Sequence, residues 1–361
     1  MSETLKRKIE HIDICLKKDV NAKNVTTGFE DVILIHKGLP QLKLDEISIE
    51  TTFLGHNFKA PILIDAMSGG PKKASIINSS LAEAAEELGV GMVVGSQRVA
   101  IENKIAEKSF RIVRDCAPSA FIAANIGVYQ LRKNGVNAAI KCIDMVNADA
   151  LVIHLNPLQE LLQKEGERDF KNCVRALSEV INTVSKPVIV KETGAGIDPE
   201  TARNLEELGT AAINVAGAGG TSWAAVEYYR NLKRDKLLNE TAKSFWDWGN
   251  PTAFLVYTVS RSIKIPVIAS GGVRTGIDVA KSIVLGAKMA AIARPLLRDA
   301  IIGKDRVKRT LMRIIYELKV AMCLTNSSDL KSLRNTRYLI VGRLRDMIKA
   351  WEEWKHGRVT F

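Results

Sequence analysis

The chain has 361 residues, 46% hydrophobic and 25% charged, the composition of a globular protein that buries a full core. No run reaches the roughly 18 apolar residues of a membrane helix, and no apolar stretch follows the basic opening MSETLKRKIEHIDICLKKD, which excludes a secretion signal and points to the cytoplasm. Of the +12 net charge most lies in residues 303–361, where 14 Lys/Arg face 6 Asp/Glu; a solvated face on terminal helices accounts for it better than a nucleic-acid partner.

Residues 1–60 read as an N-terminal segment outside the repeating pattern. Residues 61–302 then repeat one pattern, a short apolar run followed by a small or polar cluster and usually an amphipathic helix. The runs are 61–66, 91–94, 121–124, 150–153, 187–190, 211–215, 266–269 and 289–293. Near-continuous apolar strands indicate parallel pairing with both faces covered. Helical patterns fall at Ser79–Leu88, Val174–Val184 and Pro199–Leu208, the last opened by Asp198 as N-cap and proline in the first helical position. Eight alternating units predict an α/β fold closed into a single (β/α)8 TIM barrel, with an open doubly wound sheet as the alternative. Residues 303–361 read as a C-terminal helical extension. The five cysteines are scattered without a Cys-x-x-Cys pair, which excludes a disulfide framework and a structural zinc.

In such a barrel the functional groups occupy loops after the strands. Those loops are Met67-Ser-Gly-Gly-Pro71, Gly95-Ser-Gln-Arg98, Asn125-Ile-Gly127, His154-Leu-Asn-Pro-Leu-Gln-Glu160, Lys191-Glu-Thr-Gly194, Gly217–Trp223, Ser270–Gly276 and Arg294-Pro295. Ser270-Gly-Gly-Val-Arg-Thr-Gly276 reads as half of a phosphate site: glycines let backbone N–H groups approach an anion, and the following helix adds its positive end. The strand-eight loop supplies the other half. Lys191, at a strand end, suits an electron-rich ring or a Schiff base, and a rim lysine with its head in water is the plainer alternative. Glu160, one carboxylate beside Gln159, suits Mg²⁺ shared with substrate phosphates; from the residues alone, a solvent-exposed pair at a helix start is the favoured reading. Arg7, Lys8, His11 and Arg98 taken singly read as surface charges.

In order along the chain, Arg7-Lys-x-x-His11, Met67-Ser-Gly-Gly70, Gly95-Ser-Gln-Arg98, His154-Leu-Asn-Pro-x-Gln-Glu160, Lys191-Glu-x-Gly194, Gly219-Gly-Thr-Ser-Trp223, Asp247-Trp-Gly249 and Ser270-Gly-Gly-Val-Arg274 resemble the type 2 isopentenyl diphosphate isomerases. The resemblance implies FMN, kept reduced by NAD(P)H, together with Mg²⁺ and an isoprenoid diphosphate substrate. It places Ala66, Met67, Ser68, Ser96, Asn125, Lys191 and Thr221 along the flavin ring and ribityl chain. Gly272, Val273, Arg274, Ala293 and Arg294 would hold the FMN phosphate. Arg7, Lys8, Ser96, Gln97 and Arg98 would form the clamp on the substrate diphosphate, with His11 at the same substrate pocket. Gln159 would lie near the reacting alkene, Glu160 would bind magnesium, and His154 and Lys191 would border the chemistry with the flavin N5 as acid and base. It also implies a homo-oligomer in which an N-terminal segment completes a neighbour's pocket.

Two positions depart from that pattern. Asn214-Val-Ala216 stands where an acid and then a serine are expected, and Arg294 replaces an apolar residue beside the phosphate. An α-hydroxy acid oxidase would need a histidine base and an arginine after strand six, where this chain has Ala216-Gly-Ala-Gly-Gly220. A flavin barrel acting on RNA would need a cysteine acid at a strand end, and no cysteine follows a predicted strand.

Overall fold

The computed structural model describes residues 3–67, 69–70 and 72–355. Ser68, expected at the flavin ring, lies outside them. Eight parallel strands close into a barrel, which settles the choice against an open sheet. In chain order they are β1 (Ile62–Ile64), β2 (Gly91–Val93), β3 (Ile122–Gly127), β4 (Ala150–His154), β5 (Val188–Lys191), β6 (Ala212–Asn214), β7 (Val267–Ala269) and β8 (Met289–Ile292), with β8 pairing back onto β1. Each corresponds to one apolar run. β3 runs on to Gly127 and β5 takes in Lys191, because the ladder continues past the last apolar residue.

The uninterrupted hydrophobicity has a direct cause, since successive side chains point to opposite faces and both faces are covered. Leu63, Val93, Val152, Ile189, Ile268 and Met289 fill the barrel interior with the smaller Ala123, Ala150, Ala212 and Ala291. Their neighbours Ile62, Ile64, Met92, Leu151, Ile153 and Val190 pack outward against the helices. A hairpin, Thr51–Phe53 with His56–Phe58, seals the N-terminal end through Phe53 and Phe58, whose rings lie 6.1 and 5.5 Å from that of Phe121.

The expected helices form over Lys72–Leu88, Cys173–Thr183 and Pro199–Glu207, the last with the Asp198 carboxylate accepting from the N–H groups of Glu200 and Thr201. Two features of the C-terminal region depart from the sequence reading. Helix Lys304–Leu324 packs between Gly276–Leu285 and Lys72–Leu88 and so completes the ring of barrel helices. Tyr338–Ile340 is a strand, paired antiparallel with Val32–Leu34 of the N-terminal segment. The run Tyr338-Leu-Ile-Val341 is apolar, but it lies inside a stretch read as helical and its partner strand is at the other end of the chain.

The N-terminal helix α1 (Glu3–Lys17) lies over the C-terminal mouth of its own barrel. Beyond it, backbone bonds from Ala22 N–H to Gly220 O and from Ser222 N–H to Val20 O stitch the segment to the loop after β6. Asp247 accepts from Lys23 N–H and the Asn24 amide, and Trp246 Nε1 donates to Asn21 O at 2.9 Å. The aromatic turn between β6 and β7 is thus a latch for the N-terminal segment. No helix among the described residues is long and apolar enough to cross a membrane.

Candidate active site

A cavity of about 560 Å³ opens at the C-terminal end of the barrel beneath α1, within the range of small-molecule sites. Every predicted site residue among those described lines it, except Gln97. Gln97 is fully buried behind the loop, its amide donating to Cys142 O at 3.0 Å and accepting from Asn125 N–H at 2.8 Å. It holds strand ends together and does not line the cavity, so the expected contact of Gln97 with a diphosphate is not formed there. Helix Arg98–Glu102 begins at the next residue and turns the Arg98 guanidinium into the cavity, braced by Glu102 at 2.8 Å. Arg7 and Lys8 reach the cavity from α1 of the same chain.

At this end three cations crowd together. Burial and the Arg7 and Arg98 guanidinium groups pull the Lys8 ammonium down to about 7. Arg7 is lowered by burial and by Arg98, with Glu165 at 3.6 Å as a counterweight. Such a cluster is short of negative charge.

Beside it stands a connected polar group. Asn156 Nδ2 donates to Gln159 Oε1 at 3.0 Å and to Glu160 Oε1 at 3.1 Å, while Glu160 Oε2 accepts from Glu167 N–H at 2.9 Å. The buried Asn156 Oδ1 and Gln163 Oε1 have no partner, and both residues line the cavity. Orphaned buried oxygens next to a carboxylate form a hard-oxygen donor set. No group of three or more His, Cys, Asp or Glu suited to a metal occurs among the described residues, so any cation here would complete its shell from substrate or water.

Asn125 Nδ2 donates to Val94 O, which turns Asn125 Oδ1 to His154 Nδ1 at 2.8 Å. His154 therefore carries its proton on Nδ1 and leaves Nε2 as an acceptor. Burial, then Lys191, Lys8 and Arg98, hold its pKa down to about 3, so the ring is neutral.

Glu227 was missed in the sequence. Fully buried on helix Trp223–Asn231, it meets His11 Nε2 at 3.0 Å, Gln159 Nε2 at 3.5 Å and Arg230 at 2.6 Å. Arg230 also bonds Glu165 and Glu10, and this surplus of acids raises its pKa despite burial. Burial lowers the His11 pKa against the pull of Glu227. The only signal available was an acid inside the apolar string Ala224-Ala-Val-Glu-Tyr-Tyr229.

The opposite end is lined by glycine. A Cβ on Gly271 would lie 2.0 Å from Gly217 O, and one on Gly220 would lie 2.4 Å from Gly272 N, so the loops after β6 and β7 interlock backbone to backbone. The helix start expected to face a phosphate here is already spent. Asp278 accepts from the N–H groups of Arg274 and Thr275, and Glu317 from that of Gly276. Helix Arg294–Ile302, after β8, has no side-chain cap, and its first residues line the cavity. Arg274 and Arg294 each donate to Asn21 Oδ1 at 2.7 Å, and burial, with Arg274 adding its repulsion, lowers the Arg294 pKa. Two guanidinium groups sharing one neutral acceptor form a second anion-seeking end.

Comparison with known proteins agrees with this arrangement. Residues 146–340 match the family model of FMN-dependent dehydrogenases. The chain is 47% identical over 343 residues to an isopentenyl-diphosphate delta-isomerase of Methanosarcina barkeri, covering 95% of this chain and 93% of that one. It is 44% identical to the enzyme so named in Archaeoglobus fulgidus, covering 96% and 98%, and 42% to that in Pyrococcus furiosus, covering 96% and 90%. Among solved structures, a lactate oxidase of Pediococcus acidilactici superposes with a TM-score of 0.65 at 15% identity over 94% of both chains. A mandelate oxidase gives 0.62 at 18%, covering 93% and 97%, a likeness of fold. With its barrel, its cavity and these relatives, the chain belongs to the FMN-dependent, type 2 family of isopentenyl-diphosphate delta-isomerases.

Proposed function

We propose that this enzyme interconverts isopentenyl and dimethylallyl diphosphate by adding a proton at one carbon and removing one at another, using reduced FMN, Mg²⁺ and NAD(P)H as reductant. The observation that carries this reading is a single cavity with two cationic ends, Arg7, Lys8 and Arg98 at one and Arg274 with Arg294 at the other. One end suits a diphosphate and the other the FMN phosphate, with the uncapped helix after β8 adding its positive pole. Reduced flavin, when bound, supplies an electron-rich face and a nitrogen able to exchange a proton.

The protein's own residues do the rest. Arg7, Lys8 and Arg98 bind and orient the diphosphate. Glu160, with the unpartnered oxygens of Asn156 and Gln163, would hold Mg²⁺ against the phosphates. Gln159, fixed between Asn156 and Glu227, is placed to steer a proton at the alkene, and His154 Nε2 is a neutral acceptor nearby. Lys191 sits at the end of β5 to meet the flavin ring. The helix α1 covers the site and excludes water, which strengthens each of these electrostatic contacts.

The oxidase-like fold does not bring oxidase chemistry with it, because Ala216–Gly220 after β6 holds neither histidine nor arginine. The purified protein is expected to be yellow or to take up FMN, and to isomerise the C5 diphosphate only when reduced and supplied with Mg²⁺. Colourless protein that binds no flavin and leaves the alkene in place would overturn the reading.

A further inference from the structure

Lys191 closes β5, and Asp65 follows β1, on the opposite side of the eight-strand ring. Their charged atoms lie 3.6 Å apart and both residues are about 95% buried. A chain of polar side chains crosses the barrel mouth to reach this pair. Ser270, after β7, bonds Asn214 Oδ1 at 2.5 Å, and Asn214 Nδ2 donates to Asp65 Oδ2 at 3.2 Å. A carboxylate accepts only, so the Asn214 amide has one orientation, with its NH₂ on Asp65 and its oxygen on the Ser270 hydroxyl. Asp65 Oδ1 accepts from Ala66 N–H at 2.8 Å, which fixes the carboxylate. Glu192 is sequence-adjacent to Lys191, yet its Oε2 is taken by the backbone N–H groups of Thr193, Gly194, Ala195 and Gly196. Among the described residues Asp65 is therefore the one carboxylate paired with Lys191.

Position 214 is where an acid was expected, and asparagine there carries no charge. We propose that Asp65 is the counter-ion of Lys191, that it supplies the charge missing at position 214, and that the pair positions Lys191 and sets the reduction potential of the bound flavin. This rests on the flavin reading above. With the carboxylate present, the buried pair is close to neutral. Without it, an uncompensated ammonium in a low-dielectric site would favour the anionic reduced ring over the neutral oxidised one.

The test uses the full chain and FMN alone. Flavin fluorescence quenching first establishes binding, and the two-electron potential is then measured against a reference dye. Asp65→Asn should shift the potential upward, Asn214→Asp should shift it downward by adding a second carboxylate, and the double variant, which returns one charge to the same hydrogen-bonded pair, should restore the wild-type value. A merely structural contact would move none of these in opposite directions. If wild-type protein quenches no flavin, the cofactor reading fails and this inference falls with it. If FMN binds and Asp65→Asn leaves the potential where it was, or the double variant does not return, the counter-ion role alone is wrong. Should Asp65→Asn fail to fold, an unmoved potential in Asn214→Asp is sufficient to reject it.

Discussion

Lys8 stands among cations, and its position makes a pH dependence calculable in sign. In the free enzyme it loses its proton near 7, and a diphosphate needs that proton in place. The value of kcat/KM, which reports free-enzyme groups, should fall as pH rises through about 7. Lys8→Arg keeps the charge and should carry that limb to higher pH, as a pH–rate profile would reveal. Stability runs the other way. The folded pKa lies below the ordinary 10.5, so the unfolded chain binds more protons between about 7 and 10.5, and this group makes stability rise with pH over that window. In Lys8→Met the contribution should vanish from denaturation curves taken across it.

Glu227 offers a second test at the same scale. Its carboxylate serves His11, Gln159 and Arg230 at once. Glu227→Gln breaks a buried charge pair and should cost about 3 kcal/mol in urea denaturation. Turnover should fall at least tenfold while flavin binding persists. Turnover at the wild-type rate would show that Gln159 needs no such brace. These residues also mark what a sequence can and cannot reveal. His154, Gln159 and Glu160 were legible because one strand end and one helical turn keep them in a contiguous string. Apart from the Glu227–Arg230 pair within one helix, Asp65, Glu227 and Asn21 acquire their partners 68 to 273 positions away, and nothing local announces those. Gln97 shows the converse error, since membership of a motif does not say which way a side chain points.

Among the elements, α1 is the one whose placement matters most to chemistry, because it carries Arg7, Lys8 and His11. Its last carbonyls have no partners within the helix. Arg294 donates to Cys15 O at 3.3 Å and to Lys18 O at 3.4 Å, and Arg298 to Leu16 O at 3.3 Å. Two arginines of one helix thus cap another, where the negative end of its dipole welcomes them. Arg294→Leu should leave the barrel folded but speed proteolytic cutting within the first twenty residues, read by mass spectrometry of timed digests. Unchanged cutting would mean that the stitch at residues 20–22 suffices alone. The departure of Arg294 from the family pattern was visible in the sequence, but its attachment to α1 was not, because it depends on a helix end brought close by the fold. The helix expected to present its positive pole after β7 proved to be self-capped by Thr275 and Asp278, a capping box that the string Thr275-Gly-Ile-Asp278 already spelled out.

For the molecule as a whole, eight apolar runs were enough to predict closure, since strands buried on both faces admit few other arrangements. What joins the two ends of the chain was hidden. Val32–Leu34 pairs with Tyr338–Ile340, Asp31 accepts from Leu344 N–H at 2.9 Å, and the buried Leu344 and Ile348 bring helix Gly342–Lys355 down beside them. Deleting residues 337–361 should therefore loosen the N-terminal segment as well, lowering the melting temperature and raising the KM for the diphosphate more than it alters flavin affinity. Equal losses in both would place the C-terminal strand in general stability only.

The amide oxygen of Asn21 is a placeholder. A single uncharged acceptor shared by two guanidinium groups satisfies their geometry and leaves their charge unanswered. A dianion arriving at that spot competes with Asn21 for both arginines at once. Since Asn21 sits four residues past α1, and Arg294 grips the end of the same helix, a phosphate bound there, as proposed for FMN, would pull on the helix that carries Arg7 and Lys8.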